Sequence, residues 1–516
     1  MEDHRQVEAT SLSPIDTRRP FSNFSYVEKY FQGTPSLRRL FSQARARGGR
    51  TLLVEDIPAA GVIAAENAEI ASLHVGHEMA DLKRLTFWRG QKVDLDHVSA
   101  TSLLGYAIAK RDRVPSRTID RWHVFESVFV PSLHEHNYVH GIKSYEVAVG
   151  GRRFSLAGPM YSQQNGLNKA CAQVALRTLC SLHVPDVELP YERINRLAEK
   201  AGGGFDPAKG LAAVQIRAVL EGLSIGFRDI DYTKEEPEYR RELPYQKLLY
   251  AGIESGAGAM LGFKLAGPRA EGRHIIPFFG HTSNQDAWVP NAEVAYFHVG
   301  EDTRYVPSEA WVSSFIGHDD NFGSDFCVPR LYVTPEQVDY VVALLPEKAR
   351  YCGVVAEAIA ANYLYSVLPE LDVPQKPWLA RLIASASRQD VVLRALALRR
   401  DQYIQHLRDV SDWDYRREKA SLCNALEKHL PDILWMIEVS LPELFPSNQR
   451  KLGEIVLDAA INPSAQLDFR TFLFARFPGR FLLLEKISPS GKPSFVTVPS
   501  RIESHTPLCS GHNPTA

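Results

Sequence analysis

The spacing of hydrophobic positions changes several times along the chain and divides it into five stretches. Residues 1–45 are polar and predict a polar lead-in, while 46–150 mix short β-type runs with other segments and indicate an N-terminal α+β region. In 151–335 helical spacing comes first and short apolar strands follow, whereas most of 336–486 has a helical period and predicts a helical C-terminal domain. Residues 487–516, rich in Pro and Ser, are typical of a polar tail. The predicted fold class is α+β.

Particular segments predict individual helices and strands. The run CAQVALRTLCSLH, which begins at Cys171, has Val174, Ala175 and Leu179 on one side and predicts a helix. HIIPFFGH, which begins at His274, predicts a central strand, because it is a short apolar run between turn residues. The segment WVSSFIGHDDNFGSDFCVPRLYV predicts two short strands around an Asp/Asn/Gly turn. Helices are also predicted for SATSLLGYAIAKR, PEQVDYVVALLP, VVLRALALRRDQYIQHL and QRKLGEIVLDAAI.

Composition and charge exclude several classes of protein. The 516 residues are 45% hydrophobic and 23% charged, as in an ordinary folded protein. The formal net charge is -2, so there is no basic surplus to bind nucleic acid. Nucleic acid is therefore not expected as a partner. No apolar run approaches the ~18 residues that span a bilayer, and the N-terminus lacks the features of a Sec-type signal peptide. The six cysteines are widely spread without a C-x-x-C pair, which favours a reduced, cytoplasmic protein.

The stretch YSQQNGLNKACAQVALRTLCSL (161–182) contains a candidate nucleophile. Asn168 is a good N-cap residue, which places Cys171 in the first turn of the predicted helix. The N–H groups at a helix start carry partial positive charge and stabilise a thiolate over a thiol. Gln164 or Gln163, just upstream, is a candidate to donate a side-chain N–H to an oxyanion, together with the backbone N–H of Cys171.

A cysteine nucleophile needs a base, and His274 at the head of a predicted strand is the candidate. A third group has to hold the imidazole in the right tautomer. The segment GHDDNFG supplies Asp319, Asp320 and Asn321 for that role. Its spacing matches no EF-hand loop, and we expect a turn rather than a metal site.

The order Gln164, Cys171, His274 before a strand that ends at Gly280, and then Asp with a nearby Gly resembles the papain-like cysteine peptidase superfamily over about 160–330. Within it, the chain is most similar to bacterial bacteriocin-processing peptidases that cleave after a double glycine. The resemblance implies a core of one helix and an antiparallel sheet. It also implies the roles of oxyanion donor for Gln164, nucleophile for Cys171, base for His274, and orienting acid for Asp319 or Asp320.

A rival assignment of the site stays open. The segment GHTSNQDAWVPNAEVAYF contains Asp286-Ala287-Trp288, which imitates the Asn-Ser-Trp of papain-type enzymes, and it begins beside His281. This assignment uses His274 or His281 with Asp286.

We therefore expect a cysteine peptidase or amide hydrolase that acts on a protein or peptide and needs no cofactor. Two alternatives remain: an acyl or glutamyl transferase that uses the same cysteine, and a non-catalytic binding or assembly protein on the same fold. The glycine-rich AGGGFDPAKG (201–210) lacks the ending of a phosphate loop, and we expect it to border the substrate cleft.

Overall fold

The computed structural model describes most of the chain. The described residues are 22–90, 93–131, 137–184, 189–202, 206, 210–265, 272–284, 296–370, 376–410, 416–445, 451–464, 469–487, 493–502 and 504–505. They form helices and several antiparallel sheets, which agrees with the α+β class. Within them, no helix is long and apolar enough to cross a membrane.

The first sheet has five strands in the order β1-β2-β3-β4-β8. Leu37, Leu40 and Phe41 of α2 pack, together with α1, against the strands of this sheet. The helix α3 packs against helices that cover the second sheet. A two-stranded ribbon, β6-β7, follows. The bounds are α1 Ser22–Phe31, α2 Pro35–Ala46, β1 Thr51–Asp56, α3 Gly61–Leu73, β2 Glu78–Trp88, β3 Leu103–Val114, β4 Ile119–Phe129, β5 Asn137–Val139, β6 Lys143–Val149, β7 Arg152–Gly158 and β8 Met160–Tyr161.

The second sheet holds the segments predicted to carry chemistry. Its order is β15-β14-β11-β10-β16-β9, and β5 also pairs with β11. Alternate residues of β10 and β16 face two sides: Met260 and Val342 contact the α4 side, while Leu261 and Val341 contact α8. The bounds are α4 Cys171–His183, α5 Tyr191–Glu199, α6 Ala213–Gly222, β9 Gly226–Asp231, α7 Tyr239–Glu242, α8 Tyr245–Glu254, β10 Ala259–Lys264, β11 Arg273–Ser283, β14 Val312–Asp319, β15 Gly323–Pro329 and β16 Val338–Leu345.

The third sheet has eight strands in the order β12-β13-β17-β18-β19-β20-β21-β22. One face packs on α9 and α10, and the other packs on α11 and α12. The edge strand β22 lies in the predicted polar tail and pairs with β21. The bounds are β12 Phe297–Val299, β13 Thr303–Pro307, α9 Gly353–Val367, α10 Pro377–Ser387, β17 Val392–Arg399, α11 Arg400–Asp409, α12 Arg416–His429, β18 Ile433–Ser440, β19 Gly453–Asp458, β20 Phe472–Phe477, β21 Arg480–Ile487 and β22 Pro493–Pro499.

The prediction of a helical C-terminal domain over 336–486 is wrong. Three of its predicted helices contain the strands β16, β17 and β19, and the predicted helix SATSLLGYAIAKR forms β3. These strands are covered on both faces, so nearly every position is buried and the alternation typical of a half-exposed strand disappears. Such a run has no period that separates it from a buried helix.

Candidate active site

Cys171 is the first residue of α4 and is partly exposed, whereas residues 172–181 of the helix are buried. The N-cap is Ala170, not the predicted Asn168, and its backbone is extended with φ -118°. Asn168 is instead engaged by α3, since its Nδ2 donates to Glu69 Oε2 at 2.6 Å. The side chain of Ala170 offers no hydrogen-bond acceptor to α4, and the thiol lies at the positive end of the helix dipole.

His274, the second residue of β11, lies beside this thiol. Its imidazole is hydrogen-bonded to the Cys171 side chain, and its Nε2 lies 3.2 Å from Asp319 Oδ2. Burial lowers the pKa of His274, but the hydrogen bonds to Asp319 and Cys171 outweigh it and raise the pKa to about 10. The imidazole is therefore protonated at neutral pH, and its positive charge lies beside the thiol.

Asp319 ends β14 and is fixed from both sides. Besides its contact with His274, its Oδ1 accepts the backbone N–H groups of Asn321 at 2.8 Å and Phe322 at 3.1 Å. Burial raises the pKa of Asp319, but the hydrogen bond with His274 and these N–H donors hold it below its ordinary value. Asp319 is thus a rigid, ionised partner for the imidazole.

Asp320 has a different environment although it is adjacent. Its Oδ1 lies 3.4 Å from His274 Nε2, but neither carboxylate oxygen has a hydrogen-bond partner and the residue is only 3% exposed. Burial raises the pKa of Asp320 to about 7. The ligand atoms of His274, Asp319 and Asp320 lie within 4.8 Å of one another, so they could also hold a cation, which would compete for the Nε2 that Asp319 now contacts.

The two predicted oxyanion donors differ in their contacts. Gln163 Oε1 accepts the N–H of Val124, which attaches this residue to β4. Gln164 Nε2 donates to Asn321 Oδ1 at 2.6 Å, so Gln164 lies at the turn that carries the two aspartates. Of the two glutamines, Gln164 is therefore the one whose amide is at the site.

The rival base His281 lies at the other end of β11. It follows His274 by seven positions of extended strand, a span of about 23 Å. Its Nε2 contacts Glu254 Oε1 at 2.5 Å, and its ring stacks on Tyr138. Asp286, the acid of the rival assignment, lies outside the described residues. The structure therefore brings Cys171 together with His274 and does not bring His281 to it.

Cys171 and His274 line one pocket of about 870 Å³. Gly262 and Phe263 of β10 and Tyr340 of β16 form part of its wall, and the start of α6 forms another part. Asp206 and Gly210, the described residues of the glycine-rich segment that line it, border the pocket as expected for this segment. The volume lies within the range of about 300 to 1,000 Å³ that is typical of small-molecule binding clefts.

Sequence reasoning missed the buried charges that hold the site together. Glu66 of α3 is 1% exposed and forms ion pairs with Lys169 at 2.8 Å and Lys110 at 2.9 Å. Although burial raises the pKa of Glu66, the two lysines lower it to about 2. A signal was present in the sequence, because Ile63, Glu66 and Ile70 share one face of the helix and a charge on an apolar face requires a buried partner.

Comparisons with known proteins give little guidance. No family model matches the chain, and no curated protein matches it. Among solved structures, the chain is similar to the peptidase domain of Streptococcus ComA, a bifunctional ABC transporter involved in a quorum sensing pathway. The TM-score is 0.20 and the identity 11%, over 36% of this chain and 96% of that chain. This similarity is too low to assign a family, so the chemistry of the site has to be considered on its own.

Proposed function

We propose that the chain is a cysteine peptidase or amide hydrolase with a papain-like core, acting on a protein or peptide through Cys171, His274 and Asp319. The observation that carries the proposal is the contact of the Cys171 thiol, at the start of α4, with the imidazole of His274, whose Nε2 also lies 3.2 Å from Asp319 Oδ2. Cytoplasmic location remains a prediction from the sequence.

In the proposed mechanism the Cys171 thiolate attacks the carbonyl carbon of an amide and a C–S bond forms. The oxyanion is stabilised by the N–H groups of the first turn of α4 and by the Gln164 amide once it turns from Asn321. His274 gives its proton to the leaving amine as the C–N bond breaks. Water then attacks the thioester, His274 takes the proton of this water, and the carboxylic acid leaves as Cys171 is restored.

The proposal is tested with an unbiased library of internally quenched fluorogenic peptides. We expect cleavage by the wild type and none by Cys171→Ala or His274→Ala, with Cys180→Ala as the matched control, because Cys180 is buried in the middle of α4. Amine products that appear only with an added amine acceptor would identify a transferase. Labelling of Cys171 by iodoacetamide at equal rates in wild type and His274→Ala would overturn the proposal and leave a binding protein.

A further inference from the structure

Both loops of the candidate site are held by the N-terminal unit, which consists of the first sheet with α1, α2 and α3, rather than by the second sheet, on which the site is built. We call residues 319–325 the carboxylate turn, because they begin with Asp319 and Asp320. Residues 165–169 are called the thiol loop, because they lead into Cys171. The contacts of these two segments point to a role for α2 and α3.

The carboxylate turn is held by one face of α2. Arg39 donates from Nε to Ser324 O at 2.5 Å and from Nη2 to Asp325 O at 2.7 Å. Gln43, one helical turn later, donates to Ser324 O at 2.7 Å and accepts from Ser324 Oγ at 2.6 Å. Arg47 continues the same row and pairs with the Asp325 carboxylate at 2.5 Å. Residues spaced by four share a helix face, so one helix holds two successive residues of the turn.

The turn requires such support because its backbone is unusual. Gly323 has φ +119° and Asp325 has φ 50°, and the second value is uncommon for a residue other than glycine. Such conformations persist where the surroundings fix them. The donors from α2 therefore fix the backbone that sets where Asp319 and Asp320 meet His274.

The thiol loop is held by α3. Glu66 pairs with Lys169, two residues before Cys171, and accepts a bond from Asn165 at 3.3 Å. Glu69 accepts from Asn168 at 2.6 Å and from Asn195 of α5 at 2.8 Å. Lys169 is 0% exposed and lies 4.2 Å from the Tyr191 ring centroid. The loop therefore has its side-chain partners on an element more than ninety residues earlier in the chain.

We infer that Arg39, Gln43 and Glu69 are positioning residues. They hold the carboxylate turn and the thiol loop so that the side chains of Cys171, His274 and Asp319 stay in contact with one another. This inference rests on the proposed function. It assigns the N-terminal unit a part in the chemistry, although none of the residues that the structure describes in this unit lines the pocket at Cys171.

The test is the rate at which iodoacetamide alkylates Cys171, followed by mass spectrometry of the tryptic peptide 170–177. Arg39→Ala lowers the rate at pH 7 about tenfold, the change expected if relaxation of the turn weakens the interaction of His274 with the thiolate by about 1.4 kcal/mol. Glu69→Gln acts in the same direction. Arg113→Ala and Glu78→Gln are matched controls, because these residues pair with each other on the surface of β2 and β3. We expect both controls to react at the wild-type rate.

A double-mutant cycle separates positioning from general loosening. If Arg39 acts through the carboxylates and His274, Arg39→Ala has no further effect on the rate in the His274→Ala background. An equal effect in both backgrounds, or no effect in either, overturns the inference. Gln43→Ala replaces Arg39→Ala if circular dichroism shows that the latter is unfolded. Failure of the proposed function is recognised separately, because His274→Ala alone would then alkylate at the wild-type rate.

Discussion

At the scale of single residues, two adjacent aspartates meet the same imidazole nitrogen in opposite states. Asp319 is stabilised as a carboxylate by two backbone N–H donors, whereas Asp320 has none and is desolvated. Hydrogen bonds to the charged form lower a carboxyl pKa, and burial without them raises it. The pair therefore divides into a permanent anion and a group that titrates near neutral pH.

The first prediction concerns Asp320 and pH. Because its folded pKa is about 7, Asp320 becomes an anion as pH rises through neutrality and adds a second negative charge 3.4 Å from His274 Nε2. We expect the pH profile of the Cys171 alkylation rate to show an inflection near pH 7 that disappears in Asp320→Asn. The measurement is the pH profile of the rate between about pH 5 and 9. A profile of unchanged shape in the variant would contradict the assignment.

The same residue predicts a change in stability. A folded pKa above the ordinary value of 3.8 means that the contribution of Asp320 is full below pH 3.8 and is lost as pH rises through about 7. Asp320→Asn therefore raises the thermal midpoint at pH 8 and has little effect at pH 4, where the acid is itself neutral. Scanning calorimetry at the two pH values measures this difference, and equal shifts at both would count against it.

Asp319 is predicted to matter more than its neighbour. Asp319→Ala removes the orienting carboxylate and loosens the turn, so we expect peptide cleavage to fall about 100-fold, within the range typical of general acid–base catalysis. Initial rates on the same fluorogenic peptide measure the loss. Asp320→Asn, assayed at pH 6 where Asp320 is mainly protonated, is the matched control and should retain most of the activity; a larger loss there than in Asp319→Ala would reverse the two roles.

At this scale the sequence predicts which residues are candidates for the site, but it does not predict which of the two histidines contacts Cys171. A helix start and a strand start carry Cys171 and His274, and the two ends of one strand carry His274 and His281 equally well. Only the sheet order and the partner of each ring distinguish the two histidines. Asn168 is misassigned as a helix cap because its partner Glu69 lies far away in sequence.

At the scale of elements, the turn between β14 and β15 is the feature on which the site depends. A Cβ added at Gly323 would lie 2.6 Å from the Arg39 side chain, in addition to the strain of its positive φ. Gly151 has a positive φ but nothing within 4 Å, so it isolates the strain of the backbone.

We predict that Gly323→Ala destabilises the protein by about 1 to 3 kcal/mol and more than Gly151→Ala does. Urea denaturation of both variants measures the difference. The additional destabilisation of Gly323→Ala relative to Gly151→Ala should be smaller when Gly323→Ala is combined with Arg39→Ala, because the Arg39 side chain that obstructs the new Cβ is then absent. Equal losses in the two single variants would show that Arg39 does not constrain the turn.

The elements themselves were predicted unevenly. The turn residues that bound β11, β14 and β15 allowed these strands to be predicted. The one-sided apolar face of α4 allowed that helix to be predicted. β17 and β19 were missed because helices cover both faces of their sheet and alternation is lost. The pairing of β16 with β9 and β10 is a contact between distant segments that no local pattern encodes.

At the scale of the whole molecule, a row of buried charges joins the second and third sheets. Arg394 of β17 donates to Glu254, the last residue of α8, at 2.6 Å and to Glu438 of β18 at 2.7 Å. Lys451 lies between Glu438 and Glu454, and Arg476 also pairs with Glu454. Burial raises the pKa of Glu254, but Arg394 outweighs it and holds that pKa well below its usual range.

We predict that Arg394→Met destabilises the protein by about 3 to 5 kcal/mol, because it removes the arginine that neutralises the buried Glu254 carboxylate and leaves Glu438 paired with Lys451. Arg381→Met is the control, since the Arg381–Glu443 pair is about half exposed and contributes at most about 1 kcal/mol. Thermal midpoints at pH 7 measure both. Similar small shifts in the two variants would contradict the importance of the row.

The location of Arg394 has a consequence for any shortened form of this protein. A truncated chain that stopped after β16 would retain Glu254 and its contacts with His140 and His281. It would lack the Arg394 guanidinium that neutralises the Glu254 carboxylate. That carboxylate would have to take up a proton or draw water into the base of α8. We therefore expect the region that carries the candidate site to depend for its folding on Arg394, which belongs to the third sheet.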